Sequence, residues 1–163
     1  MLVKICGITR VDDAKVAVEC GAGAIGLVFW PTSPRFIDPF RARTIVATLP
    51  PFVTSVGVFV NQPVAYVNDV ASLVRLAAVQ LHGDEDPAYA SAVERPVIKA
   101  VVPNGESFDD WPSQITLLVD AADPVRRGGT GAKADWSAAA ALDRKSTRLN
   151  SSHIQKSRMP SSA

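Results

Sequence analysis

The chain is poor in the residues that build disulfide scaffolds and metal centres. Two cysteines, Cys6 and Cys20, are too few for a disulfide framework, and the two histidines, His82 and His153, stand at no zinc-ligand spacing beside them. Free thiols and no bound metal are therefore expected. Long apolar runs are missing too. None approaches the ~18 residues of a transmembrane helix, and Asp12 and Asp13 arrive before a signal-peptide core can form. A cytoplasmic protein without membrane contact is the expectation. Nor does one sign of charge dominate, since 17 basic and 16 acidic residues leave a net charge of +1. That balance is uneven, because residues 1–142 hold 12 bases and 15 acids, a net of −3. Such a body offers no field for nucleic acid. The excess of bases lies in Arg144, Lys145, Arg148, Lys156 and Arg158, which by charge alone read as a solvated tail.

What is present suits one globular domain. With 163 residues, 47% of them apolar and 20% charged, the chain can bury a real core. Short apolar runs bounded by turn chemistry recur at 2–6 (LVKIC), 24–29 (AIGLVF), 54–60 (TSVGVFV), 77–81 (AAVQL), 96–102 (PVIKAVV) and 115–120 (ITLLVD). They predict buried parallel strands. Helical stretches are expected between them at 11–21, 39–49, 63–76 and 86–94, with a weak one near 106–111 and another from Asp135. Strand and helix alternating at about 20–25 residues imply right-handed βαβ units in a parallel sheet, either a barrel or an open doubly wound sheet.

In either architecture the loops after the strand C-termini carry the chemistry. Cys6 ends the first strand, Arg35 follows the second, Gln80 and His82 flank the end of the fourth, and Asp120 ends the sixth. A glycine-rich segment, RGGTGAK at 127–133, comes next. Each has an ordinary reading. Cys6 suits a core position as a small hydrophobe, and Cys20 belongs on the inward side of a helix. Arg35 sits in the stiff turn SPR, His82 suits a hydrogen-bonded structural role, Asp120 suits a cap, and GGTG alone is a weak phosphate signal.

Apolar periodicity ends near Leu142. Beyond it, DRKSTRLNSSH (143–153) and SRMPSSA (157–163) resemble one frame of a translated sequencing-adapter oligonucleotide, with Ile154, Gln155 and Lys156 at its variable index. The expected division is a domain at 1–142 and a non-native, disordered tail at 143–163.

Taken together, KICGIT at the start, GLVFWPTSPRFI at 26–37, VGVFVN at 56–61, VQLHG at 79–83, and LLVDA followed by GGTG and DW resemble the successive signatures of phosphoribosylanthranilate isomerase. The resemblance covers 1–142 in order. It implies a (β/α)8 TIM barrel, here incomplete with about six βα units and without counterparts of the last two. It also implies a cofactor-free Amadori rearrangement of N-(5-phosphoribosyl)anthranilate, a phosphosugar, in tryptophan biosynthesis. That reaction needs an acid to protonate the ring oxygen as the furanose opens, and a base to take the C2 proton. By resemblance Cys6 is the base, Asp120 the acid, and Arg35 the partner of the anthranilate carboxylate. Gln80, Gly128, Gly129 and Gly131 are implied in substrate binding. The alternatives are another phosphosugar barrel isomerase or epimerase, or an inactive fragment of this enzyme. A pair formed by a cysteine and an aspartate disfavours the first of these.

Overall fold

The computed structural model describes residues 3–101 and 110–120, together with the backbone of Leu149–Asn150. Six strands appear where the apolar runs place them: β1 (Lys4–Cys6), β2 (Ala24–Val28), β3 (Thr54–Phe59), β4 (Ala78–Leu81), β5 (Val97–Val101) and β6 (Thr116–Val119). Between them lie α1 (Val11–Glu19), α2 (Pro39–Val46), α3 (Val64–Val74) and α4 (Pro87–Ser91). The weak helix near 106–111 falls largely, and the one from Asp135 wholly, outside the described residues.

Every strand pairs in parallel with its sequence neighbour, in the order β1 to β6. The doubly wound alternative, which requires a reversal of strand order, is thereby excluded. A seventh strand, β7 (Leu149–Asn150), pairs parallel with the far side of β6, Leu118 opposite Leu149 and Val119 opposite Asn150. These two residues belong to the stretch expected to be a disordered tail. An open β6 edge presents unpaired N–H and C=O groups that an extended segment can satisfy, and a two-residue pairing needs little sequence specificity.

The register sorts side chains onto two faces, because strand neighbours opposite one another point the same way. Lys4 pairs with Ala24 and Cys6 with Gly26. Gly26 pairs with Val56, Val56 with Ala78, Val58 with Gln80, and Gln80 with Ile98. On this inner face Ala24, Val56, Ala78 and Ile98 pack as one small cluster. The other face carries Ile25, Leu27, Phe59, Val79 and Leu81, which meet Ala14, Ala42, Ile45, Val67, Val70 and Val74 of the helices in the main core. Burying each large side chain there contributes roughly 1.5–3 kcal/mol. Phe29 and Phe59 stack at 5.1 Å between ring centroids.

Local chemistry sets the helix ends. Asp38 caps α2 by accepting from the N–H groups of Phe40 and Arg41, with Pro39 in the first turn. Asp86 caps α4 by accepting from Tyr89 N at 2.7 Å, and Pro87 follows it. The helices end earlier than the sequence suggests. Arg75 closes α3 in the left-handed conformation at φ 62°, and α1 stops at Glu19 with Cys20 as its C-cap. Cys20 is consequently exposed, which corrects its assignment to the inward side of a helix.

Candidate active site

Cys6, Gln80, His82 and Asp120 reach the same face of the sheet by register. Cys6 and Gln80 are on it directly; His82 follows Gln80 by two residues and Asp120 follows Leu118 by two, each keeping the alternation. All lie at or just past strand C-termini. Asp120 is held by its own N–H, which donates to Val101 O at 2.9 Å, and is 6% exposed. His82 donates its backbone N–H to Phe59 O at 2.9 Å. Its ring Nε2 then stands 3.0 Å from Asp120 Oδ2. Two groups singled out separately in the sequence are thus in contact.

Gln80 is 1% exposed and engaged at both ends of its amide. Lys4 Nζ donates to its Oε1, and its Nε2 lies 3.2 Å from His82 Nδ1. A continuous polar line therefore runs from β1 through β4 to β6. Lys4 carries no signal of its own in the sequence, because its contact with Gln80 spans 76 positions.

Cys6 is half-buried, a free thiol whose sulfur lies against β2. A Cβ placed on Gly26 would come 2.7 Å from Cys6 Sγ and 3.1 Å from its Cα, so only glycine admits the thiol there. Arg35 arrives from the loop after β2, where Ser33 Oγ accepts from its backbone N–H at 3.2 Å. Its Nη1 donates to Cys6 O at 3.0 Å. The guanidinium passes so near Gly7 that a Cβ there would lie 2.5 Å from Arg35 Cδ, and Gly7 itself has φ +86°. Both conditions call for glycine. A cation is in this way held beside Cys6 at the end of β1.

Behind the inner face, a second network fixes the loop after β4. Lys99 points to the helix side and donates to Glu85 Oε2 at 2.9 Å and to Gly83 O at 2.7 Å, with its ammonium 5.7 Å from the Trp111 ring centroid. Glu85 also accepts from the backbone N–H groups of Asn61 and Gly83. The loops leaving β3 and β4 are tied together by one buried carboxylate. Gly128, Gly129 and Gly131 lie outside the described residues. Among the described residues no group of three or more histidine, cysteine or acidic side chains is arranged to hold a metal ion. No described helix is long and apolar enough to cross a membrane.

A parallel βα sheet wound in sequence order, with polar residues gathered at its strand C-termini, defines an enzyme of the (β/α)8-barrel class, here as an incomplete barrel. The family model described as N-(5'-phosphoribosyl)anthranilate (PRA) isomerase matches residues 3–151. The N-(5'-phosphoribosyl)anthranilate isomerase of Geobacter metallireducens is 51% identical over 142 residues, covering 85% of this chain and 70% of that protein. The crystal structure of phosphoribosyl anthranilate isomerase from Thermotoga maritima superposes with a TM-score of 0.81 at 38% identity, covering 94% of this chain and 78% of that one. A phosphoribosyl anthranilate isomerase in complex with reduced 1-(o-carboxyphenylamino)-1-deoxyribulose 5-phosphate matches with a TM-score of 0.67 at 35% identity, over 93% of this chain and 88% of that one. The chain belongs to the phosphoribosylanthranilate isomerase family, whose members are isomerases of tryptophan biosynthesis.

Proposed function

We propose that Cys6 is the general base and Asp120 the general acid of the family's Amadori rearrangement, acting on N-(5-phosphoribosyl)anthranilate in the cytoplasm. The observation that carries this reading is the placement of both groups, from strands β1 and β6, on one face of the sheet at its C-terminal rim. A substrate lying across that face has a carboxyl group on one side and a thiol on the other, as ring opening and C2 proton removal require. Asp120 delivers a proton to the ring oxygen while the furanose opens to an iminium. Cys6 then takes the C2 proton, and the enolamine formed tautomerises to the ketone.

Arg35 pairs with the substrate's carboxylate in this reading, which is supported by its position next to Cys6 and by the match of a planar fork to a planar anion. Gln80, with its amide committed to Lys4 and His82, serves the substrate by orienting His82. Gly128, Gly129 and Gly131 bind substrate in this reading, since residues without a side chain permit close approach of backbone N–H groups. No cofactor enters these steps. The isomerase domain of this reading is 1–142; residues 143–163 lose its apolar periodicity, although Leu149–Asn150 pair with β6.

The test is steady-state kinetics of Cys6→Ser and Asp120→Asn in an assembly that completes the barrel. Each variant is expected to lose about 10²–10⁴-fold in kcat with KM changed little, because both groups act in the transition state. A variant within a few-fold of the unsubstituted protein removes that residue from its role.

A further inference from the structure

We infer that Lys4 is a positioning residue that sets the polarity of the line Lys4–Gln80–His82–Asp120, and with it the tautomer of His82. The inference rests on the proposed role of Asp120 only for its catalytic consequence. An ammonium group has donors and no acceptor, so the atom of Gln80 facing Lys4 must be the amide oxygen. That places the amide nitrogen 3.2 Å from His82 Nδ1, where it can only donate. His82 Nδ1 is therefore the acceptor, and the neutral imidazole carries its hydrogen on Nε2. Nε2 is the atom 3.0 Å from Asp120 Oδ2.

Each donor in the line thus points toward β6. Without Lys4, a glutamine amide turns over at little cost, and the turned amide would accept from Nδ1–H and present His82 to Asp120 with a lone pair instead of a hydrogen. Burial of Gln80 and Asp120 makes the difference matter, since neither exchanges partners freely with water. For catalysis, the consequence is that the ring atom nearest Asp120 Oδ2 carries a hydrogen and not a lone pair.

The test needs no turnover. The chain contains two histidines, so ¹⁵N spectra of histidine-labelled protein resolve His82 once a His153→Gln variant assigns the other signal. The unsubstituted chain is expected to show His82 with an unprotonated Nδ1 and a protonated Nε2. Lys4→Met should raise the Nδ1–H population by roughly fivefold, the change that loss of one net hydrogen bond brings. Lys4→Arg, which still only donates, should restore the original pattern.

Gln80→Glu provides a second route that keeps the side-chain shape. Its carboxylate can only accept, from Lys4 and from His82 alike, so the signal of an unprotonated Nδ1 should disappear. Finding Nδ1–H in the unsubstituted chain overturns the inference. So does an unprotonated Nδ1 that persists unchanged in Lys4→Met or, where that variant fails to fold, in Gln80→Glu. Failure of Asp120→Asn to lower turnover would refute the acid role and leave the tautomer result intact.

Discussion

Two glycines decide how closely the groups at the start of the chain approach one another. Gly26 leaves room for the Cys6 sulfur, and Gly7 lets the Arg35 side chain lie across the turn that follows β1. Gly26→Ala should therefore displace the thiol by several tenths of an ångström and lower kcat by about tenfold or more, since misplacement of a reacting group is costly. Kinetics of the variant alongside its circular dichroism would check this, and an unchanged kcat would show that the sulfur has slack. Arg35→Ala should act mainly on KM, because a carboxylate remote from the reacting carbon is held alike in ground and transition states. Part of its loss should appear in kcat, as Arg35 also donates to Cys6 O. Equal losses for substrates with and without the anthranilate carboxylate would refute the pairing.

The strands were legible in the sequence to within one or two residues because each is a short β-branched run between turn signals, a pattern that helices do not imitate. Helix ends were less so: α4 spans Pro87–Ser91 where 86–94 is expected, since nothing in the local pattern marks where the chain must turn back toward β5. Of the site, Cys6, Arg35, His82 and Asp120 could be found from their places after strands, whereas Lys4, Gly26 and the pair Lys99–Glu85 matter only through contacts made across the sheet. That pair gives a prediction about how the loops after β3 and β4 are held. Lys99→Met leaves the Glu85 carboxylate, with 2% of its side chain exposed, without its counter-charge, and should cost about 3–5 kcal/mol. Adding Glu85→Gln should recover much of that loss. Urea unfolding measures both, and a single substitution costing less than about 1 kcal/mol would mean that Glu85 is held by the Asn61 and Gly83 N–H groups alone.

Closure of the sheet governs what the whole molecule can do. The strand order runs from β1 to β7 without returning, so among the described residues β1 is paired on one side only. A (β/α)8 barrel closes by joining its first and last strands, and typically takes roughly 250 residues. This chain aligns with 70% of the Geobacter metallireducens isomerase. Cys6 and Asp120, the proposed base and acid, lie within the residues 3–151 that the family model matches, while binding energy that positions a sugar phosphate between them depends on loops around the complete rim. The most direct measurement is fluorescence-monitored conversion of phosphoribosylanthranilate by this chain alone and after refolding with the part of the Geobacter metallireducens protein beyond the aligned 142 residues. The chain alone should give no turnover, and the mixture should give turnover that Cys6→Ser or Asp120→Asn abolishes. Turnover by the chain alone, or reconstituted turnover that survives both substitutions, would contradict the account.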